Sequence, residues 1–89
     1  MKYITKWSIK EENFAAAVER FKTDQPEPSA GVKMIGRWHV MGGGDGFSLI
    51  EADDPVALSR FILAWADLVD QEVYAVVDDT EIAQALTPA

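Results

Sequence analysis

Residues 31–55 read GVKMIGRWHVMGGGDGFSLIEADDP, and this stretch contains the clearest strand pattern of the chain. Strand-type alternation of side chains runs from Val32 to Met41 and again from Gly46 to Ala52, which is the period-two pattern of half-buried strands. The cluster Gly42-Gly43-Gly44-Asp45 between the two runs is typical of a turn. The segment therefore predicts two adjacent antiparallel strands joined as a hairpin.

The apolar residues of this hairpin favour one register. If Met41 pairs with Gly46, a clearly apolar face forms, and we expect that face to meet the helices. Its members are Met34, Trp38, Val40, Phe47 and Leu49. The opposite face then carries Ile35, Arg37, His39, Ser48 and Ile50, and we expect it to lie away from the helices. That second face is too apolar for a solvated surface and too polar for an ordinary core.

A strand and a helix are predicted before the hairpin. Residues 2–8 alternate, with Tyr3, Thr5 and Trp7 on one side of the strand. Ser8 followed three residues later by Glu11 has the form of a capping box. Helical spacing of apolar residues then predicts a helix over residues 9–23, which the two prolines within residues 24–28 end.

A second helix and a fourth strand are predicted after the hairpin. Asp54 before Pro55 is typical of a capped helix start. A wide apolar stripe continues this helix through Leu58, Phe61, Ile62, Trp65, Leu68 and Val69. Residues 72–77 predict the last strand, and Asp79-Thr80 predicts the start of a short helix that runs through Leu86.

The resulting order, β-α-β-β-α-β, is that of the ferredoxin-like α+β fold. Right-handed crossovers place both long helices on one face of a four-stranded antiparallel sheet. A length of 89 residues leaves room for a single domain spanning residues 1–89. Because one sheet face stays uncovered, we expect a homodimer packed sheet to sheet around a partly polar cavity.

Composition excludes several classes of function. A formal net charge of -7 disfavours nucleic acid as a partner. No apolar run is long enough to span a membrane, and residues 1–10 lack the features of a signal peptide, so we expect no membrane partner and a cytoplasmic protein. With no cysteine and a single histidine, we expect no metal site and no cofactor.

Four stretches carry a resemblance to a known family. They are KYITKWS at 2–8, GVKMIGRWHV at 31–40 with its glycine hairpin, LIEADDP at 49–55 and FILAWADLVDQEVYAVVDD at 61–79. On these stretches, which cover almost the whole chain, the sequence resembles a short bacterial family of unknown function in the dimeric α+β barrel superfamily. The resemblance implies a ferredoxin-like fold and a dimer. Its wider relatives include small monooxygenases, ligand-binding regulatory domains and isomerase-like enzymes, and no motif here selects among them.

Four residues are candidates for a ligand cavity: Trp7, Arg37, His39 and Ser48. His39 is the only histidine, and it can accept a proton while the Arg37 guanidinium holds an anionic oxygen. The alternative is that both residues lie in the dimer interface and pair with partner carboxylates. The Trp7 indole can stack on a flat ligand, whereas Trp38 and Trp65 are expected in the core.

The remaining motifs have structural interpretations that we prefer. The glycines of residues 42–46 lie between two strands, so a phosphate-binding loop is disfavoured. The pairs Asp53-Asp54 and Asp78-Asp79 precede helices, where a carboxylate caps free amides, although divalent cation binding is the alternative. Three functions stay open at this point. The first is a small homodimeric protein that binds a small molecule or serves an accessory role, and the second is a cofactor-independent enzyme (monooxygenase-like or isomerase-like) acting on a small aromatic or carbonyl compound. The third is a ligand-sensing domain that is separate from its DNA-binding partner.

Overall fold

The computed structural model describes residues 1–23 and 30–88 of the chain. Four strands and three α-helices follow one another as β1 (Lys2–Ile9), a 3-10 turn (Glu11–Asn13), α1 (Phe14–Thr23), β2 (Val32–His39), β3 (Asp45–Ala52), α2 (Pro55–Leu63), β4 (Val69–Val76) and α3 (Asp79–Leu86). The predicted helix-ending segment at 24–28 lies outside the described residues.

The four strands form one antiparallel sheet in the order β2-β3-β1-β4. Strands β1 and β2, which α1 connects, are separated by β3, as the split crossover of the ferredoxin-like arrangement requires. The predicted α+β fold is therefore confirmed, and the sheet provides the platform on which the side chains described below are placed.

The hairpin between β2 and β3 has a different register from the predicted one. Trp38 pairs with Phe47 and His39 pairs with Gly46, so the pairing is shifted by two residues and Met41 lies in the turn. The turn is wider because the Val40 amide donates to the Asp45 carbonyl at 2.9 Å and the Gly43 amide donates to the Val40 carbonyl at 3.1 Å.

Three consecutive glycines make this wider turn possible. Gly42, Gly43 and Gly44 have φ values of 103°, 88° and 91°, a region that residues with a Cβ rarely adopt. The expectation of a hairpin rather than a phosphate-binding loop is confirmed.

The two faces of the hairpin are reversed relative to the prediction. Residues expected to point away from the helices, namely Arg37, His39, Ser48 and Ile50, lie on the helix side. Residues expected in the core, namely Trp38, Val40, Phe47 and Leu49, do not form it: Trp38 is 57% exposed and Phe47 is 42% exposed. Met34 packs against the core as expected, and Ile35 is exposed as expected.

A bulge and a neighbouring strand explain the reversal. Two residues of β2 oppose one of β3 between Met34 and Gly36, so Met34 shares a face with Arg37 although simple alternation separates them. Two inward residues of β3, Gly46 and Ser48, are small, and the Trp7 ring of β1 lies over Gly46. The more apolar face of the hairpin is therefore the outer one.

We call the outer face the open sheet face. Its central residues are Ile4, Lys6, Trp38, Phe47, Leu49 and Tyr74, which adjoin one another across the four strands. Ile4 is 38% exposed and Tyr74 is 50% exposed. The Tyr74 hydroxyl donates to the Glu72 carboxylate, and this hydrogen bond raises the pKa of Tyr74.

The start of α1 differs from the predicted capping box. Ser8 belongs to β1, and its hydroxyl donates to the Asp45 carboxylate at 2.7 Å instead of capping a helix. The chain passes through the 3-10 turn before α1 begins at Phe14. The predicted cap of α2 is confirmed, because the Asp54 carboxylate accepts from the Val56 amide at 2.9 Å.

Helix α2 is shorter than its apolar stripe. It ends at Leu63, and the amides of Leu68 and Val69 both donate to the Trp65 carbonyl at 3.0 Å. This turn lets Leu68 and Val69 pack beneath Ala17 of α1. Strand β4 therefore begins at Val69 rather than at residue 72.

The buried apolar residues form two separate clusters. The first contains Val32, Ile50, Ala52 and Ala57, with Phe61 packed against it. The second contains Ala17, Leu68 and Val69, with Ile9 and Trp65 packed against it. A small core divided in two leaves space between its parts, and the candidate site occupies that space.

The last helix, α3, lies outside both clusters. It has no buried residue, and Leu86 is 79% exposed. Its start is fixed by a capping box in which the Asp78 carboxylate accepts from the Glu81 amide at 2.9 Å. The cap is thus Asp78 rather than Asp79-Thr80, and its carboxylate also accepts from Lys2 Nζ at 2.6 Å.

Candidate functional site

A cavity of about 400 Å³ lies between the sheet and the helices α1 and α2. We call it the helix-side cavity. Phe61 of the first core cluster and Ala17 and Val69 of the second border it, so it fills the gap between the clusters. Its size falls within the range of about 300–1,000 Å³ that is usual for small-molecule sites.

The sheet forms the floor of this cavity with a row of polar side chains. Arg37 of β2 pairs with Ser48 of β3, and Ser48 pairs with Thr5 of β1. All three residues line the cavity. We call this set the polar row; it crosses three neighbouring strands, which lie about 4.8 Å apart in a sheet.

The adjacent row of the floor is mainly aromatic. His39 pairs with Gly46, Gly46 with Trp7, and Trp7 with Gln71. The Trp7 indole lies over Gly46, where a Cβ would come within 2.0 Å of the ring. The indole thereby reaches His39, and the two ring centroids are 5.2 Å apart with an edge-to-face angle of 74°.

Phe21 of α1 lies over the sheet and contacts one residue of each row. Its ring centroid is 5.8 Å from that of His39 and 5.1 Å from Cζ of Arg37. The second contact has the geometry of a cation–π interaction. Arg37 and His39 are both exposed although they line the cavity, so they lie toward its opening.

The opposite wall is held by an ion pair between α1 and the turn after α2. Arg20 donates to both carboxylate oxygens of Asp67 at 2.8 Å, and this pairing lowers the pKa of Asp67. Cζ of Arg20 also lies 5.5 Å from the ring centroid of Trp65. Because Trp65 borders the cavity, this contact fixes one of its aromatic surfaces.

The charge around the cavity is opposite in sign to that of the whole chain. Lys22 and Arg37 line it, whereas Asp45 is the one carboxylate among the described lining residues. The Asp45 carboxylate already accepts a hydrogen bond from Ser8. A molecule with a net charge of -7 thus gathers positive charge at this opening, which favours an anionic group there.

The structure brings the four candidate residues to one place. Trp7, Arg37, His39 and Ser48 all line the helix-side cavity. Arg37, His39 and Ser48 thus lie on the helix side of the sheet rather than on the face expected to meet a partner. Trp65, expected in the core, is half-buried and also borders the cavity. Trp38 was expected in the core and instead lies exposed on the open sheet face.

Sequence reasoning missed other residues of the site, among them Thr5, Phe21 and Gln71. Thr5 shares a face with Trp7 in the alternation of β1, so that pattern contained the signal. Phe21 belongs to the helical stripe of α1, which indicates a buried position without distinguishing core from cavity. The Gln71 side chain donates to the Ile62 carbonyl at 2.9 Å, a tertiary contact with no local signal.

The other candidate chemistries have less support in the described residues. Asp54 and Asp78 cap helices, and residues 1–23 and 30–88 contain no group of three or more His, Asp or Glu side chains arranged to bind a metal. No helix in the same ranges combines the length and apolar character needed to cross a membrane.

Comparison with known proteins identifies the family. Residues 1–89 match the model of a family described as "Domain of unknown function (DUF3303)". The chain belongs to this family. A search of curated proteins gave no match. The DUF3303 assignment confirms the expected family of unknown function, and the wider superfamily stays a prediction. The family description specifies no activity, so we infer the function from the geometry of the helix-side cavity.

Proposed function

We propose that this DUF3303 domain binds a small, flat organic anion in the helix-side cavity. One observation carries the proposal: Arg37 lines an aromatic cavity and lies over the Phe21 ring. Among residues 1–23 and 30–88 no carboxylate forms an ion pair with Arg37. A guanidinium in this situation is available to bind a carboxylate or phenolate with two parallel hydrogen bonds.

The remaining walls suit a planar ligand body. Five aromatic side chains border the cavity: Trp7, Phe14, Phe21, Phe61 and Trp65. Aromatic walls favour a flat ring through offset or edge-on contacts. A cavity of about 400 Å³ accommodates a bicyclic aromatic acid.

The charge requirement is tested with 2-naphthoate and the neutral 2-naphthamide in isothermal titration calorimetry. A charge-assisted hydrogen bond is worth about 1.5–3 kcal/mol, so we expect the acid to bind roughly ten-fold tighter or better. Arg37→Gln should remove this preference. Arg60→Gln is the matched control, because Arg60 is exposed on α2 and does not line the cavity. Absence of binding, or a preference that persists in Arg37→Gln, contradicts the proposal.

A second candidate function is enzymatic, and the convergence of His39 with Arg37 and Trp7 at one cavity favours it. In this alternative Arg37 holds the carboxylate of a 2-oxo acid, and His39 removes a proton from the carbon next to the carbonyl and returns one from solvent. Proton NMR of phenylpyruvate in D₂O tests it. The protein should accelerate loss of the methylene signal, and His39→Gln should not. No acceleration leaves only the binding function.

We further infer that two copies of the chain associate through their open sheet faces. The supporting observation is the apolar character of the open sheet face, where Ile4 adjoins Leu49 and Trp38 adjoins Phe47. Trp38, Phe47 and Tyr74 contribute exposed apolar surface on one face. A second copy is the occupant best matched to this surface, since a two-fold axis sets equivalent apolar rows against each other.

A further inference from the structure

Two hydroxyl groups lie on the floor of the helix-side cavity. Thr5 is 2% exposed and Ser48 is 4% exposed, and they are the polar residues buried within the described chain. They pair directly across β1 and β3. Both border the cavity, so the sheet places their side chains next to each other on its helix side.

Neither hydroxyl has a hydrogen-bond partner within residues 1–23 and 30–88. In the same part of the chain no fully shielded polar side-chain atom lacks a partner. The oxygens of Thr5 and Ser48 therefore retain some accessible surface, and the cavity is the space that they border. Buried hydroxyls are normally paired with protein or ordered water, so both oxygens are available to water or to a ligand that enters the cavity.

Arg37 extends the two hydroxyls into a line. It pairs with Ser48 on the strand next to it, and strand spacing places the backbones of Arg37, Ser48 and Thr5 at successive steps of about 4.8 Å across the floor. One end of the polar row carries a positive charge, and the other end carries groups that both donate and accept. A matching ligand has an anionic group at one end and a hydrogen-bonding oxygen at the other.

We propose that the cavity selects aromatic acids that carry a ring hydroxyl remote from the carboxylate, with Thr5 and Ser48 as the specificity-determining residues. This inference rests on the proposed function, because it takes the carboxylate to lie at Arg37. The hydroxyaromatic acid spans the polar row: its carboxylate meets the guanidinium, its ring lies between the aromatic walls, and its hydroxyl exchanges hydrogen bonds with Ser48 and Thr5.

The test compares 6-hydroxy-2-naphthoate with 2-naphthoate by calorimetry. A neutral hydrogen bond contributes enough for the hydroxylated acid to bind roughly five- to ten-fold tighter to the unmodified protein. Thr5→Val keeps the shape of the side chain and removes its hydroxyl, and Ser48→Ala removes the other. In both variants the ratio of the two affinities should fall toward one, whatever happens to each affinity separately. Thr5→Ser is the matched control and should keep the preference.

The outcomes separate this inference from the function on which it rests. If neither acid binds, the proposed function fails and the inference fails with it. If 2-naphthoate binds with a dependence on Arg37 but the ring hydroxyl adds nothing, the function stands and the inference is overturned. A preference that survives in both Thr5→Val and Ser48→Ala also overturns it. Should one variant fail to fold, as judged by circular dichroism, the other still decides.

Discussion

Two strand glycines each lie beneath a tryptophan, on opposite faces of the sheet. A Cβ at Gly46 would come within 2.0 Å of the Trp7 ring, and a Cβ at Gly36 within 2.5 Å of the Trp38 ring. Neither glycine has a positive φ, so the absence of a side chain, rather than backbone freedom, is what each position requires. The two residues therefore provide a matched pair for separating the two faces by mutation.

We expect Gly46→Ala to displace Trp7 from the cavity floor. The added methyl group overpacks a close contact, which costs about 1–3 kcal/mol of stability, and it disturbs the neighbouring His39. Binding of 2-naphthoate should weaken several-fold, as measured by calorimetry.

Gly36→Ala is the reciprocal control. It should displace Trp38 on the open sheet face and leave naphthoate binding intact, while weakening self-association in sedimentation velocity. If Gly46→Ala and Gly36→Ala impair both properties equally, the two faces are not independent.

At the same scale, the sequence indicated candidate residues without indicating their common face. The four candidates Trp7, Arg37, His39 and Ser48 were chosen for their chemistry; they border one cavity, and their role in binding stays a prediction. The face predicted for Arg37, His39 and Ser48 was wrong, because choosing the more apolar face as the core assumes that the core is filled. Here the inner face of β3 carries small residues such as Gly46 and Ser48, and the space above them is the cavity.

Among the elements, order and type were predictable, whereas exact ends depended on tertiary contacts. Asp54 with Pro55 predicted the start of α2 correctly. The stripe that continued to Val69 did not predict the end of α2, since Leu68 and Val69 are buried against Ala17 although they lie beyond the helix. The bulge in β2 likewise cannot be seen in a period-two pattern. It places Met34 and Trp38 on opposite faces of the sheet, although simple alternation predicts one shared face.

Helix α3 depends on its N-terminal cap because it has no buried residue. Asp78→Ala removes both the cap and the contact with Lys2, and it should speed amide hydrogen exchange in α3 roughly five-fold or more. Asp78→Asn is the matched control, because its amide oxygen still accepts from Glu81. Equal exchange in both variants would show that the ion pair, not the cap, fixes the helix start.

The same contact predicts how α3 responds to pH. The hydrogen bond with Lys2 lowers the pKa of Asp78 and raises the pKa of Lys2. A lowered carboxyl pKa stabilises the folded state above the unfolded value near pH 4, and this contribution disappears as pH falls through the folded pKa. The raised lysine pKa contributes below about pH 10 and is lost as pH rises further.

Protection of the α3 amides, corrected for intrinsic exchange rates, should therefore be level from about pH 5 to pH 10 and fall in acid. The acid-dependent part should be absent in Asp78→Ala. An unchanged acid response in that variant would assign it to another carboxylate.

For the whole molecule, we expect a homodimer in sedimentation velocity at micromolar concentration. The isologous interface should bury roughly 1,500–2,500 Å² in total. Trp38→Ser should shift the protein toward monomer, because each protomer loses a large apolar side chain. The two-fold symmetry removes this contact at two equivalent positions of the interface. Leu63→Ser is the control: Leu63 is 69% exposed but lies on α2. A stable wild-type monomer, or equal effects of both variants, contradicts the dimer.

The bulge in β2 has a consequence for the protein in concentrated solution. A free strand edge is a template on which further chains add and sheets grow into fibrils. Strand β2 lies at one edge of the sheet, and its bulge breaks the regular spacing that an incoming strand needs. At the other edge, β4 carries the exposed acidic residues Asp70 and Glu72, which repel a second copy of themselves. Sheet growth is thus hindered at both edges, so the apolar residues of the open sheet face can serve association face to face without leading to amyloid-like polymers.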